Sequence, residues 1–129
     1  MLRRVLHSKI HMATVTGASP DYMGSITVDG QLLDACGMRA SDAVLVGNCR
    51  NGARFETYIF RAPVGSGIIE VNGAAAHLVE AGDRVIILHF ADMTDEEYAK
   101  HRPTVLLIGE QANRISRTIW YEPDQVDGD

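Results

Sequence analysis

Residues 42–60, DAVLVGNCRNGARFETYIF, constrain the fold more than any other stretch of the chain. Two runs rich in β-branched and aromatic residues flank Asn51-Gly52, a pair suited to the positive φ angles of a tight hairpin turn. In the second arm, alternation places Arg54, Glu56, Tyr58 and Phe60 on one face and Phe55, Thr57 and Ile59 on the other. The pattern recurs in short pieces. Residues 3–16 alternate loosely, with Ile10, Met12 and Thr14 expected on one face and Lys9, His11 and Ala13 on the other. SITVD, GIIEVNG, GDRVIILHF and PTVLLIG read as further strands, with PTVLLIG the last. DGQLLDACG predicts a two-turn helix capped by Asp29 and ended by Gly37. MTDEEYAKH predicts another, with Thr94 and Glu97 as a capping box. Many short strands, two small helices and frequent glycine turns predict a small, mainly β barrel rather than a βαβ sheet. One domain over residues 1–117 is expected, followed by a flexible acidic tail over 118–129.

The totals narrow the function. At 129 residues the chain has room for one domain with a real core. Its formal net charge of -5 and lack of a long basic run exclude a nucleic acid held by phosphate neutralisation. Only Val5 and Leu6 follow the opening arginines before polar residues return, so a secretory leader is not expected, nor is a bilayer span. Cys36 and Cys49 form no CxxC pair, and the reading is a reduced, cytoplasmic setting.

Standard catalytic motifs are missing. There is no phosphate loop, GxGxxG or GxSxG, and Gly65-Ser66-Gly67 reads as a turn. His7 and His11 would be roughly 13 Å apart on a strand and cannot share an ion. His77, His89 and His101 are scattered in sequence, so no metal site is expected. Tyr22-Met-Gly-Ser25 looks, alone, like an ordinary surface turn.

Four segments change that reading. SKIHMATVT, YMGS, NGARFETY and VNGAAAHL, followed by GDRVII, stand in an order and at spacings that resemble the aspartate 1-decarboxylases. The resemblance covers roughly residues 1 to 117. It implies a double-psi β-barrel, a homotetramer, and a pyruvoyl enzyme that converts L-aspartate to β-alanine for pantothenate synthesis. It also implies self-cleavage between Gly24 and Ser25, giving fragments 1–24 and 25–129. The Ser25 hydroxyl would attack the Gly24 carbonyl, and elimination and hydrolysis would leave a covalent pyruvoyl group as the cofactor. Its ketone would take the aspartate amine as a Schiff base and, conjugated with the adjacent amide, accept the electrons released with CO2. The residue types fit: serine supplies hydroxyl and carbon skeleton, and glycine without a Cβ can adopt strained angles beside it.

The resemblance assigns the remaining residues one by one. Thr57 would assist cleavage by hydrogen-bonding the developing oxyanion and would also contact substrate. Tyr58, otherwise an aromatic on a half-buried strand, would donate the proton after CO2 leaves. Arg54 and Lys9 are ordinarily solvated charges; here Arg54 would fork onto the retained carboxylate of aspartate, with Lys9 helping. Asn72 would lie close to the processing site. The NH groups of Gly73, Ala74 and Ala75 at a helix start would bind an anion. His11 and Tyr22 match without a defined role. Thr57 and Tyr58 face opposite ways, so the site would wrap the strand or span subunits.

There are departures from the family pattern. Gly47 stands where some relatives have a large aromatic, SPD precedes Tyr22, and Glu56 shares the Arg54 face. No helper protein for maturation is identified by the sequence. A rival reading is a β-barrel interaction module without activity; an unrelated pyruvoyl decarboxylase is a third. Intact Gly24, Ser25, Thr57 and Tyr58 favour the enzyme.

Overall fold

The hairpin, the caps and the glycine turns build one curled sheet, seen in a computed structural model that describes residues 1–122. The strands are β1 (Arg3–Thr14), β2 (Gly17–Ser19), β3 (Ser25–Asp29), β4 (Ala43–Asn48), β5 (Arg54–Ala62), β6 (Ile69–Asn72), β7 (Arg84–Met93), β8 (Thr104–Ile108) and β9 (Ile115–Trp120). Helix α1 (Gly30–Cys36) follows β3, α2 (Asp95–Lys100) follows β7, and a 3-10 turn covers Ala74–Leu78. The sheet order is β2-β6-β3-β5-β4-β7-β1-β8-β9. β2–β6, β3–β5 and β1–β8 are parallel pairs in an otherwise antiparallel sheet. Mainly β with short helices is the class expected.

The core is continuous from β1 through β8. Ile10, Ile26, Ile59, Ile87 and Leu106 are completely buried within it, with Leu32 and Leu33 of α1 beside them. Burying each such side chain contributes about 1.5–3 kcal/mol before the entropy of ordering the chain.

Asp29 does more than cap a helix. Its Oδ1 accepts from the NH of Gln31 in α1 and of Gly65, while its Oδ2 accepts from the NH of Gly67. Gly65 and Gly67 have φ of 81° and 71°, so Gly65-Ser66-Gly67 is the expected turn, tied to the end of β3. Gly37 ends α1 in the left-handed conformation, and the Thr94–Glu97 capping box is formed.

Four local expectations need correction. Only Gly52 of the Asn51-Gly52 pair has a positive φ; the loop is wider, and Asn51 Oδ1 accepts from the Ala53 NH instead. Met12, at φ 67°, forms a bulge opposite β7 that brings Ala13 to the core side with Ile10. Arg84 Nε holds the Met12 carbonyl at 2.8 Å, so a distant charge fixes the bulge. PTVLLIG is not the last strand, because β9 follows and pairs with β8. β9 also runs through 118–120, the start of the expected tail, because Val105 and Leu106 give it a ladder and a core edge; residues 123–129 lie outside those described.

The pairing of β1 with β7 and the end of α2 also assemble three histidines far apart in sequence. His7 Nδ1 lies 3.2 Å from His89 Nδ1 and 3.0 Å from Ser8 Oγ; His101 Nε2 donates to the Leu6 carbonyl at 3.0 Å. Asp42 stands 3.7 Å from His89 Nε2. Burial lowers the pKa of His7, with His89 and His101 adding repulsion and Asp42 opposing. Burial lowers that of His89 as well, Asp42 opposing and Arg39 and Arg4 assisting. The unfolded chain therefore binds more protons than the folded one just below the ordinary value of 6.5. Stability is full above that value and falls as pH drops through it toward the lowered folded values. Melting temperature measured from about pH 8 to about pH 5.5 is expected to fall on the acid side, and less steeply in His7→Gln. Equal slopes in the two proteins would contradict this.

Candidate active site

β3 begins at Ser25, and the ladders beside it gather residues from distant segments. Ser25 pairs with Asn72 and Thr27 with Glu70 across β6. β2 extends both rows, with Ser19 opposite Asn72 and Gly17 opposite Glu70. On the other side Ile26 pairs with Ile59 and Thr27 with Phe60 of β5. Immediately before the first of these pairs stand Ser25, preceded by the bend at Gly24, on one side and Tyr58 and Thr57 of β5 on the other. Ile26 and Ile59 point into the core. Alternation therefore sends Ser25 and Tyr58 to the opposite face, with Thr57 directed inward.

A pocket of about 290 Å³ lies on that outer face, lined by Tyr22, Met23, Ser25, Phe60, Glu70 and Asn72. Ser25 itself is fully buried, whereas Tyr22 and Met23 are largely exposed. Asn72 Nδ2 donates to Ser25 Oγ and to Thr27 Oγ1, both at 3.4 Å. Both bonds are long. Ser25 Oγ is thus held by an acceptor contact, and its own proton stays available. Tyr58 is 39% exposed and meets Phe60 edge-on at 5.4 Å between ring centres. A larger hollow of about 490 Å³ opens at the other end of β3, around Asp29, Ser66 and Asn113. Asp29 and Asn113 are taken up there by structural hydrogen bonds.

Two expectations about glycine and helix NH groups change. Gly24 does not have a positive φ, and a Cβ there would meet only the Asn72 carbonyl at an ordinary 3.8 Å. The strained glycine is Gly73, at φ 82°, where a Cβ would fall 2.5 Å from Gly24 Cα. The Gly24 backbone packs against position 73 so closely that no side chain fits there. The Gly73 NH is also committed, donating to the Ser19 carbonyl at 3.0 Å. Of the three expected anion donors, Ala74 and Ala75 remain at the start of the 3-10 turn.

A second group lies apart. Arg54 is four residues from Tyr58 along β5, about 13 Å at strand spacing. The ladders form the row Arg54–Gly47–Ile86–His11 and, next to it, Glu56–Leu45–Leu88–Lys9. Three strand spacings, about 14 Å, separate the ends of each row. Lys9 and His11 therefore share no cluster with Ser25 within one chain. Among the described residues His11 Nδ1 is buried without a hydrogen-bond partner, and its pKa is lowered by burial and then by Lys9 and Arg84. A Cβ at Gly47 would meet nothing within 4 Å, leaving open space beside Arg54.

Sequence reasoning passed over Glu70 and Gly17. The available signal was that Glu70 stands two residues before Asn72 on a strand, hence on its face. Among the described residues, no group of three or more His, Cys, Asp or Glu could hold a metal ion, and no helix is long and apolar enough to cross a membrane.

Comparison with known proteins gives the family. The aspartate 1-decarboxylase of Bacillus velezensis is 48% identical over 123 residues, covering 95% of this chain and 96% of that protein. The enzymes of the same name from Bacillus subtilis and Neisseria meningitidis are 47% and 48% identical with the same coverage. Among solved structures, the rationally designed mkDPBB_sym_86 protein is similar with a TM-score of 0.47 and 18% identity, over 61% of this chain and 92% of that one. A sequence model described as aspartate decarboxylase matches residues 1–116. With that match spanning most of its length, the chain belongs to the aspartate decarboxylase family and is an enzyme of it.

Proposed function

We propose that this chain cuts itself between Gly24 and Ser25, converts Ser25 into a pyruvoyl group, and decarboxylates L-aspartate to β-alanine and CO2. The observation that carries the reading is a shielded serine, hydrogen-bonded by Asn72, next to a glycine backbone that packs against Gly73. The arrangement suits an intramolecular attack. The Ser25 side chain is buried, and the backbone before it is confined on one side.

In the first stage the Ser25 hydroxyl adds to the Gly24 carbonyl, and Thr57 donates to the oxygen that becomes negative. Asn72 orients the attacking oxygen. Collapse breaks the Gly24–Ser25 amide and leaves an ester. Elimination then frees the Gly24 carboxylate, and water replaces ammonia at the former Ser25 Cα. The mature group supplies a ketone that captures an amine and an electron sink for the bond that breaks. The chain's own residues do the rest. Arg54 holds the side-chain carboxylate of aspartate and Lys9 adds positive charge, so the carboxylate that leaves stays weakly bound. Ala74 and Ala75 offer backbone NH groups, and Tyr58 returns a proton to carbon after CO2 departs.

Lys9 and Arg54 can serve Ser25 if a second copy brings its outer face against the pocket. The separation of the two groups within one chain supports sites shared between subunits, and we take the assembly to be a homotetramer. Light scattering at micromolar concentration is expected to give the mass of four chains. A monomer that is fully active would contradict the shared site. We place the reaction in the cytoplasm as a step toward pantothenate. The reading is tested by incubating purified chain with L-aspartate and following β-alanine: release is expected, and none from a fully cut chain would overturn it.

A further inference from the structure

The pocket beside Ser25 contains a carboxylate, that of Glu70. Glu70 is half-buried and makes no side-chain hydrogen bond or ion pair among the described residues. Its side chain lies over Gly17: a Cβ there would sit 3.3 Å from Glu70 Cγ and 3.8 Å from Oε1. Gly17 thus leaves the acid room on one side, and the pocket opens on the other. The other lining residues are Tyr22, Met23, Ser25, Phe60 and Asn72. None of those is a base near neutral pH.

The self-cleavage described above has one step with no group assigned. After the acyl shift, a base must remove the proton from Ser25 Cα. We propose that Glu70 is that proton acceptor, an inference that rests on the self-cleavage reading. Ser25 is the diagonal neighbour of Glu70 across β3 and β6, a backbone separation of about 7–8 Å; the side chain, which leans over Gly17 of β2, reaches Ser25 Cα by swinging back across β6 or through one water.

The step balances without an oxidant or reductant. Glu70 takes the Cα proton, the electrons of that bond form a Cα–Cβ double bond, and the Cβ–O bond breaks. Gly24 leaves as a carboxylate. The proton passes from Glu70 to Cβ, and the nitrogen gives up one proton to solvent, as the enamine becomes an imine. Addition of one water and loss of one ammonia complete the pyruvoyl group.

The test uses full-length chain freshly purified and followed by mass. Glu70→Gln keeps the shape and removes the base, so formation of the pyruvoyl fragment should slow by roughly 10² to 10⁴-fold. The ester should then persist, and hydroxylamine should split it into a 25–129 fragment that begins with serine. In Glu70→Ala, added formate should restore pyruvoyl formation, which a merely structural role would not allow. Wild-type speed in Glu70→Gln would overturn the proposal while leaving self-cleavage intact. So would a slow Glu70→Gln chain that resists hydroxylamine, combined with no formate rescue. A wild-type chain that never cuts would remove the self-cleavage reading and this inference with it.

Discussion

Ser25→Ala is expected to give one uncut chain with no detectable decarboxylation of L-aspartate. The substitution removes a single oxygen from a completely buried side chain. Alanine offers no nucleophile to the Gly24 carbonyl, so neither the acyl shift nor the later group can form. The fold should survive, since the lost hydrogen bond to Asn72 is a long one at 3.4 Å. Denaturing electrophoresis and a β-alanine assay check both halves of the expectation. Two fragments, or residual turnover near the wild-type rate, would show that Ser25 is not the reacting residue.

The second large effect separates two neighbours. Thr57 and Tyr58 are adjacent on β5, with Thr57 paired to buried Val44 and Tyr58 on the outer face. Thr57→Val keeps the β-branched shape and removes the hydroxyl proposed for the oxyanion. Cleavage should slow by roughly 10² to 10³-fold, so uncut chain accumulates. Tyr58→Phe removes only the phenolic hydroxyl proposed for reprotonation. Cleavage should be normal there, while turnover of the cut protein drops by about 10² to 10⁴-fold. The fragment ratio reads the first role, and β-alanine release per cut chain reads the second. A Tyr58→Phe protein that stays uncut would merge the two roles and undo the division.

Features set by local chemistry were legible in the sequence. Asp29, Gly37 and the Thr94–Glu97 box marked helix ends through hydrogen bonds that span only a few residues. Alternation along 54–60 was read correctly because β5 runs without a bulge over those residues. What failed depended on distant partners. The Met12 bulge is held by Arg84, the histidine trio by the pairing of β1 with β7, and β9 by β8. The order of motifs named Ser25, Asn72 and Gly73, but not their contacts. Strain was assigned to Gly24 by its place beside the serine, whereas the positive φ falls on Gly73, where two distant loops touch. Glu70 was missed because no motif contains it; only the ladder with Thr27 and Gly17 brings it to the pocket.

The central claim is that Ser25 becomes the reactive group, and intact mass of the purified protein over time tests it most directly. The account predicts that the full chain gives way to two fragments, 1–24 and 25–129. Together they should weigh one water more than the parent chain and one ammonia less. The larger fragment should react with a carbonyl reagent. A single unchanged chain, or a 25–129 fragment still beginning with serine, would contradict it.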